Sequence, residues 1–335
     1  SGLIRGIGPS TAKLIVRHFG ENALEILDEH PERLTEVSGI GKKKAAMILE
    51  SYAQQMGMRR VLVFLQNYGI SPNLAMRIAK YYPHMFEEPP ISGKNGSGTI
   101  FFTGCSLRCV FCQNFTLSRS ERGKEISPAE LADIFKILED MGVHNINLVT
   151  PTHFVKEIVK AFEIYRPKIP VVYNTHSYET QKTLDLIDPF VDIYLPDLKF
   201  FSPDISARYT GRKDYFEVAE NAVKFMMNSK KTTFDENGMM KTGVVVRHMI
   251  MPLCVPDSKK IVEWFAENNK NGTYFSLMAQ YTPFGEQDKF PELKRPITAA
   301  EYRRVYEHLL ASGVTNYFAQ ELKSSSESFI PDWDF

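Results

Sequence analysis

At 335 residues the chain is long enough for two domains, one of them large. Its 43% hydrophobic and 24% charged residues, at a net charge of zero, exclude a largely disordered chain and give the whole protein no charge-driven partner. No apolar run approaches the length of a membrane span, and residues 1–14 lack the layout of a signal peptide, so a cytoplasmic location is expected. Of the four cysteines, three fall within eight residues, which suits metal binding in a reducing compartment better than a disulfide framework.

Residues 1–83 read as a small all-α domain. Apolar residues at helical spacing predict helices over 10–19, 22–27 and 42–56, with no strand among them. Eleven Lys and Arg stand against seven Asp and Glu here, so the neutral total hides a basic head. Two Gly-Ile-Gly turns, Gly6-Ile7-Gly8 and Gly39-Ile40-Gly41, each precede a helix. Glycine permits a tight left-handed turn and leaves helix N-terminal amides uncovered, which is a ready anion site. Lys42 and Lys43 add positive charge beside the second turn. The alternative is a helical bundle that uses glycine turns only as helix stops.

Residues 84–98 are rich in Pro, Gly and Ser and read as a linker. From 99 onward, strand candidates at 99–103, 146–150, 170–174, 192–195, 243–250, 274–280 and 317–320 alternate with amphipathic helices such as 128–141, 154–165 and 299–311. This alternation implies an α/β domain with a parallel sheet and right-handed crossovers. A partial or full parallel β/α barrel fits best, with chemistry at the C-terminal ends of its strands. An open doubly wound sheet is the alternative.

Directly after the first of these strands comes Cys105-Ser106-Leu107-Arg108-Cys109-Val110-Phe111-Cys112, a C-x3-C-x2-C spacing. Three thiolates so close in one loop need a cation among them. As ligands of a four-iron cluster they leave one iron open to another molecule. A structural zinc would need a fourth ligand, for which Cys254 is the candidate.

The triplet, with an aromatic residue before its last cysteine, is the signature of the radical S-adenosylmethionine superfamily. With Glu87-Glu88-Pro89-Pro90-Ile91-Ser92-Gly93, Tyr194-Leu195-Pro196-Asp197-Leu198-Lys199 and Ser328-Phe329-Ile330-Pro331-Asp332, residues 84–335 resemble uncharacterised relatives of pyruvate formate-lyase activating enzyme. The resemblance implies a 4Fe-4S cluster on Cys105, Cys109 and Cys112, S-adenosylmethionine as second cofactor, and an electron donor such as a flavodoxin or ferredoxin. It also places Phe111 against the adenine. At strand ends, Asn147, Thr150 and Thr152 occupy the segment where the family commonly has Gly-Gly-Glu, and Asn174 and Ser177 follow on the next strand. The Asp197-x-Lys199 pair is expected near the methionine moiety. Arg247, costly to bury alone, suits a grip on the methionine carboxylate or an internal salt bridge. Gln280 is a weaker candidate, and His153 reads as a capping or core histidine. The relatives often carry further cysteines upstream of Glu87, and this chain has none there.

The head, from Gly6 to Tyr82 and including Phe64-Leu65-Gln66-Asn67-Tyr68-Gly69, resembles the tandem helix-hairpin-helix region of RecD-like DNA helicases. That likeness implies phosphate contacts to DNA through Gly6, Gly8, Gly39, Gly41, Lys42 and Lys43. No G-x4-G-K-[ST] loop occurs, so ATP-driven unwinding is excluded for this chain alone. Three functions follow. The leading one is hydrogen abstraction from a glycine of a protein partner. The others are radical chemistry on nucleic acid and a DNA-binding scaffold with a structural metal.

Overall fold

The computed structural model of the chain describes residues 9–19, 26, 31–41, 43–45, 48, 76–119, 123–283 and 288–322. The chain divides into two compact units, Ser1–Leu74 and Ala75–Phe335.

In the first unit, α1 spans Pro9–Phe19 and a 3-10 turn spans Pro31–Glu36. Ile15, Ile26, Leu34, Val37, Ile40, Ala45 and Ile48 supply its buried apolar residues. Gly39 adopts φ +89°, which a residue with a Cβ would resist, and the Ala45 amide then donates to the Gly41 carbonyl at 2.9 Å to open the next helix. Of the expected phosphate-contacting set, Gly39, Gly41 and Lys43 are described and exposed. Gly6, Gly8 and Lys42 lie outside the described residues or their described side chains, as do Phe64 to Gly69, most of 22–27 and 42–56, and the Ser328 to Asp332 motif.

The second unit is built on a ten-stranded sheet. Its strands are β1 (Arg77–His84), β2 (Ser97–Phe102), β3 (Lys124–Glu125), β4 (Ile146–Val149), β5 (Val171–Thr175), β6 (Ile193–Pro196), β7 (Thr233–Phe234), β8 (Met240–Met249), β9 (Tyr274–Met278) and β10 (Tyr317–Ala319). The helices are α2 (Pro89–Ser92), α3 (Phe115–Arg119), α4 (Pro128–Asp140), α5 (Val155–Ile164), α6 (Gln181–Ile187), α7 (Pro203–Thr210), α8 (Tyr215–Ser229), α9 (Val255–Asn268) and α10 (Ala299–Ala311). Ser127 and Thr298 cap α4 and α10 through reciprocal bonds with Glu130 and Glu301, each box contributing about 1 kcal/mol.

Strands β2, β4, β5, β6, β8, β9 and β10 pair in parallel in chain order. Right-handed crossovers that always step the same way put every connecting helix on one face, whereas a doubly wound sheet must reverse its order. Alternate residues separate the two faces. Leu148, Tyr173, Tyr194, Val244 and Phe275 join the helices in the main core, while Val172, Ile193, Leu195 and Val245 pack on the other side around Ile91 of α2. The sheet thus wraps an interior of its own, and with β10 and β3 at its two edges the barrel is partial.

Two expectations are corrected here. Residues 77–84 are not part of a strand-free head: β1 pairs antiparallel with β2 along its length and belongs to the second unit. Residues 84–98 are not a free linker either. Pro90, Ile91 and Ser92 are buried, and β2 already begins at Ser97, because α2 plugs the end of the barrel interior.

Candidate active site

The sheet delivers its polar inward-facing residues to one cleft at the C-terminal ends of the strands. Its cavity volume is about 210 Å³. Cys105, Cys109, Cys112, Phe111, Thr150, Asn174, Asp197, Lys199, Arg247 and Gln280 all line it. Asn147, Thr152 and Ser177 do not.

The cysteine loop hangs between β2 and α3 and is tied on several sides. Gly104 opens it at φ +83°, with its amide donating to the Leu117 carbonyl at 3.0 Å. Ser106 Oγ lies 2.8 Å from His176 Nε2, the Val110 amide donates to the Tyr209 carbonyl at 2.9 Å, and Arg119 donates to the Arg108 carbonyl at 2.8 Å. His153 Nε2 bonds the Thr103 carbonyl at 2.8 Å and backs Gly104, which makes it a structural histidine. Burial pushes the Cys105 thiol up to about 11 and the Cys109 thiol up to about 12, so without a cation these groups stay protonated. Burial likewise pulls the His176 imidazole down to about 3, with the Lys199 ammonium adding to the effect.

Beneath the loop lies a charge network. Arg247 on β8 donates to Asp197 Oδ1 from Nε at 2.9 Å, to Glu87 Oε2 at 3.1 Å and to Asn174 Oδ1 at 2.6 Å. Lys199 Nζ donates to the other Asp197 oxygen at 2.9 Å and sits 5.8 Å from the centre of the Phe111 ring. Asn147 donates to Glu87 Oε1 at 2.9 Å. Burial works against the charge on Asp197, but Arg247 and then Lys199 outweigh it and hold the carboxyl below its ordinary range. Burial also opposes the charges of Lys199 and Arg247, and Asp197 reverses the balance in both, raising them. Glu88 is different. Burial raises its carboxyl, Arg247 offsets this only in part, and its Oε2 has no partner among the described residues.

Two further outliers sit at neighbouring strand ends. Thr150 after β4 has φ +58° and Ser177 after β5 has φ +64°, and the Thr150 amide donates to the Asn174 carbonyl at 3.0 Å. A β-branched residue in this region stores strain, which concentrates where structure serves a site.

The donor set suits an iron-sulfur cluster better than a single ion. Among the described residues no three His, Cys, Asp or Glu groups converge on one metal ion. A zinc site requires that convergence, whereas the thiolates of a four-iron cluster go to different irons. Cys254, the expected fourth zinc ligand, is instead buried at the start of α9 and does not line the cleft. Arg247 is engaged by three acceptors, whereas Lys199 Nζ is engaged by Asp197 alone beside Phe111. Glu87, His176 and Gln113 were missed by sequence reasoning as site residues. Their partners lie 160, 70 and 167 residues away, and only the Glu87-Glu88-Pro89-Pro90 motif hinted at the first.

Comparison with known proteins follows the same division. Residues 99–248 match the Radical SAM superfamily and residues 3–52 match the SAM-like helix-hairpin-helix tandem, HHH_5. An uncharacterized protein of Methanocaldococcus jannaschii is 29% identical over 220 residues, which cover 63% of this chain and 61% of that protein. The ATP-dependent RecD2 DNA helicase of Deinococcus radiodurans is 32% identical over 79 residues, 24% of this chain and 11% of the helicase. The chain therefore spans about three fifths of the one relative and about a ninth of the other. Among solved structures, Streptococcus suis SuiB bound to S-adenosylmethionine covers 96% of this chain, and the chain covers 70% of it, at 14% identity and a TM-score of 0.48. Residues 99–248 thus carry the likeness to the radical SAM superfamily, whose cofactors are a 4Fe-4S cluster and S-adenosylmethionine, and residues 3–52 carry the likeness to a helix-hairpin-helix tandem.

Proposed function

We propose that the chain is a radical enzyme that holds its cluster on Cys105, Cys109 and Cys112, cleaves S-adenosylmethionine and abstracts hydrogen from a glycine of a protein partner. The observation that carries the reaction class is that the three cysteines and the Asp197–Lys199–Arg247 network line one cleft at the strand ends. When bound, the cluster supplies the electron that splits the sulfonium into methionine and a 5′-deoxyadenosyl radical. The chain's residues bind and orient. Lys199, held by Asp197 and with donors free, suits the methionine carboxylate. Arg247 and Glu87 fix Asp197 and Asn174 in place, and Phe111, which lines the cleft, would offer its backbone to the adenine. A flavodoxin or ferredoxin serves as electron donor. The glycine substrate rests on the resemblance of residues 84–335 to activating enzymes.

The test is anaerobic loading with iron and sulfide, reduction with dithionite, and chromatography of 5′-deoxyadenosine in wild type and Cys109→Ala. Product from wild type alone is expected. Zinc in place of iron, with no product from either protein, would overturn the reading and leave a metal-stabilised scaffold.

A second reading, radical chemistry on nucleic acid, is favoured by the helix-hairpin-helix tandem with its Gly39 turn and exposed Lys43. Hydrogen loss from DNA sugar or base, rather than from a protein glycine, would decide for it.

A further inference from the structure

Three glutamine side chains cross the mouth of the partial barrel in one hydrogen-bonded row. Gln113, the residue after Cys112, donates from Nε2 to the Gln280 carbonyl at 3.1 Å and accepts from Gln280 Nε2 at 3.2 Å. Gln280 Oε1 in turn accepts from Gln320 Nε2 at 2.8 Å, and Gln320 Oε1 accepts from the Ala279 amide at 3.0 Å. The orientation of each amide is fixed, because the row begins on a backbone carbonyl, which can only accept, and ends on a backbone N–H, which can only donate. Such a row is cooperative: each amide is polarised by the next, and turning one over sets donor against donor along the whole length.

Gln280 follows β9 and Gln320 follows β10, so the row spans from the cysteine loop after β2 to the far strands of the sheet. The loop's other ties reach β4, β5 and α7 by way of His153, His176 and Tyr209. The row holds the residue next to Cys112. We infer that Gln113, Gln280 and Gln320 form a clamp that sets the position of Cys112 before any metal arrives, with Gln320 a positioning residue that acts on the metal site although it does not line the cleft.

This inference rests on the cysteine triplet being the metal site, but its test does not need metal. The full chain, purified without iron, is treated with iodoacetamide, and the alkylation of each cysteine is followed by peptide mass spectrometry in wild type, Gln320→Leu, Gln113→Leu and the double variant. Gln320→Leu is expected to speed alkylation of Cys112 about fivefold, the equivalent of one lost hydrogen bond. Cys254, buried away from the clamp, should be unaffected, and the double variant should be no faster than Gln113→Leu alone. An unchanged rate at Cys112, or equal acceleration at Cys112 and Cys254, would overturn the clamp. After iron loading, the reduced wild type and Gln320→Leu should give different electron paramagnetic resonance spectra; identical spectra count against it. Accelerated alkylation in a chain that takes up no iron supports the clamp and overturns the metal reading separately.

Discussion

Arg247 and Asp197 meet on adjacent strands, guanidinium Nε to carboxylate Oδ1 at 2.9 Å, and this contact organises the floor of the cleft. The same guanidinium also serves Glu87 and Asn174, so removing it leaves Glu87 without its cation and Asp197 with Lys199 alone. Arg247→Met should therefore destabilise the metal-free chain by about 3–5 kcal/mol, as broken buried pairs do. Arg247→Lys should recover little of this, because an ammonium cannot reach three acceptors in a fixed fork. Urea denaturation reads both. A loss under about 1 kcal/mol would mean the network contributes no more than an exposed ion pair.

Thr150 is held at φ +58° with its side chain on the cleft. Thr150→Gly removes about 1–3 kcal/mol of strain and returns part of it as unfolded-chain entropy, for a net gain of about 1 kcal/mol. The urea midpoint should rise. A fall would show that the contacts of the Thr150 side chain outweigh its backbone strain.

Glu301 accepts bonds from the Leu253 and Thr298 amides, the Thr298 hydroxyl and both Arg295 terminal nitrogens, at 2.7–2.9 Å. The Arg295 bonds lead in pulling its carboxyl from the ordinary 4.5 down to about 2, against the opposing effect of burial. A carboxyl depressed in the folded state contributes stability that is complete above pH 4.5 and is lost as the pH falls through about 2. Glu301→Gln should cost about 2 kcal/mol at pH 7. Thermal melts of variant and wild type should converge between those two pH values, and a gap that stays constant down to pH 2 would refute the assignment.

On the nucleic-acid reading of the head, Lys43 makes one phosphate contact. Duplex affinity measured by fluorescence anisotropy should then fall steeply with potassium chloride, and Lys43→Ala should reduce the slope of log affinity against log salt by about 1. A slope that Lys43→Ala leaves untouched would remove this residue from any interface.

The sequence-predicted strands at 146–150, 170–174, 192–195, 243–250, 274–280 and 317–320 recur as β4, β5, β6, β8, β9 and β10, because buried parallel strands write continuous apolar runs. β1 wrote no such run. Only Ile78 on it is buried, it contains Pro83, and it takes its pairing from β2 rather than from its own pattern. The cysteine triplet was legible because its three residues are local in sequence. The charges around it were half legible: Asp197 and Lys199 are two apart and Arg247 stands out in an apolar strand, but Glu87 meets Arg247 only through the plug that α2 makes. Asn147 was placed on the right strand, and it bonds Glu87 rather than lining the cleft, since inward-facing positions of a barrel strand differ in depth and periodicity does not report depth.

The glutamine row also has a meaning in time. Gln113 and Gln280 are 167 residues apart. At ribosomal speed that interval lasts roughly 10–30 s, during which the cysteine loop has left the ribosome while the strands that brace it have not been made. A nascent chain therefore holds the cysteine loop by its ties to His153, His176 and Tyr209 alone until β9 and β10 supply Gln280 and Gln320. On the proposed metal site, cluster loading would follow the synthesis of β10.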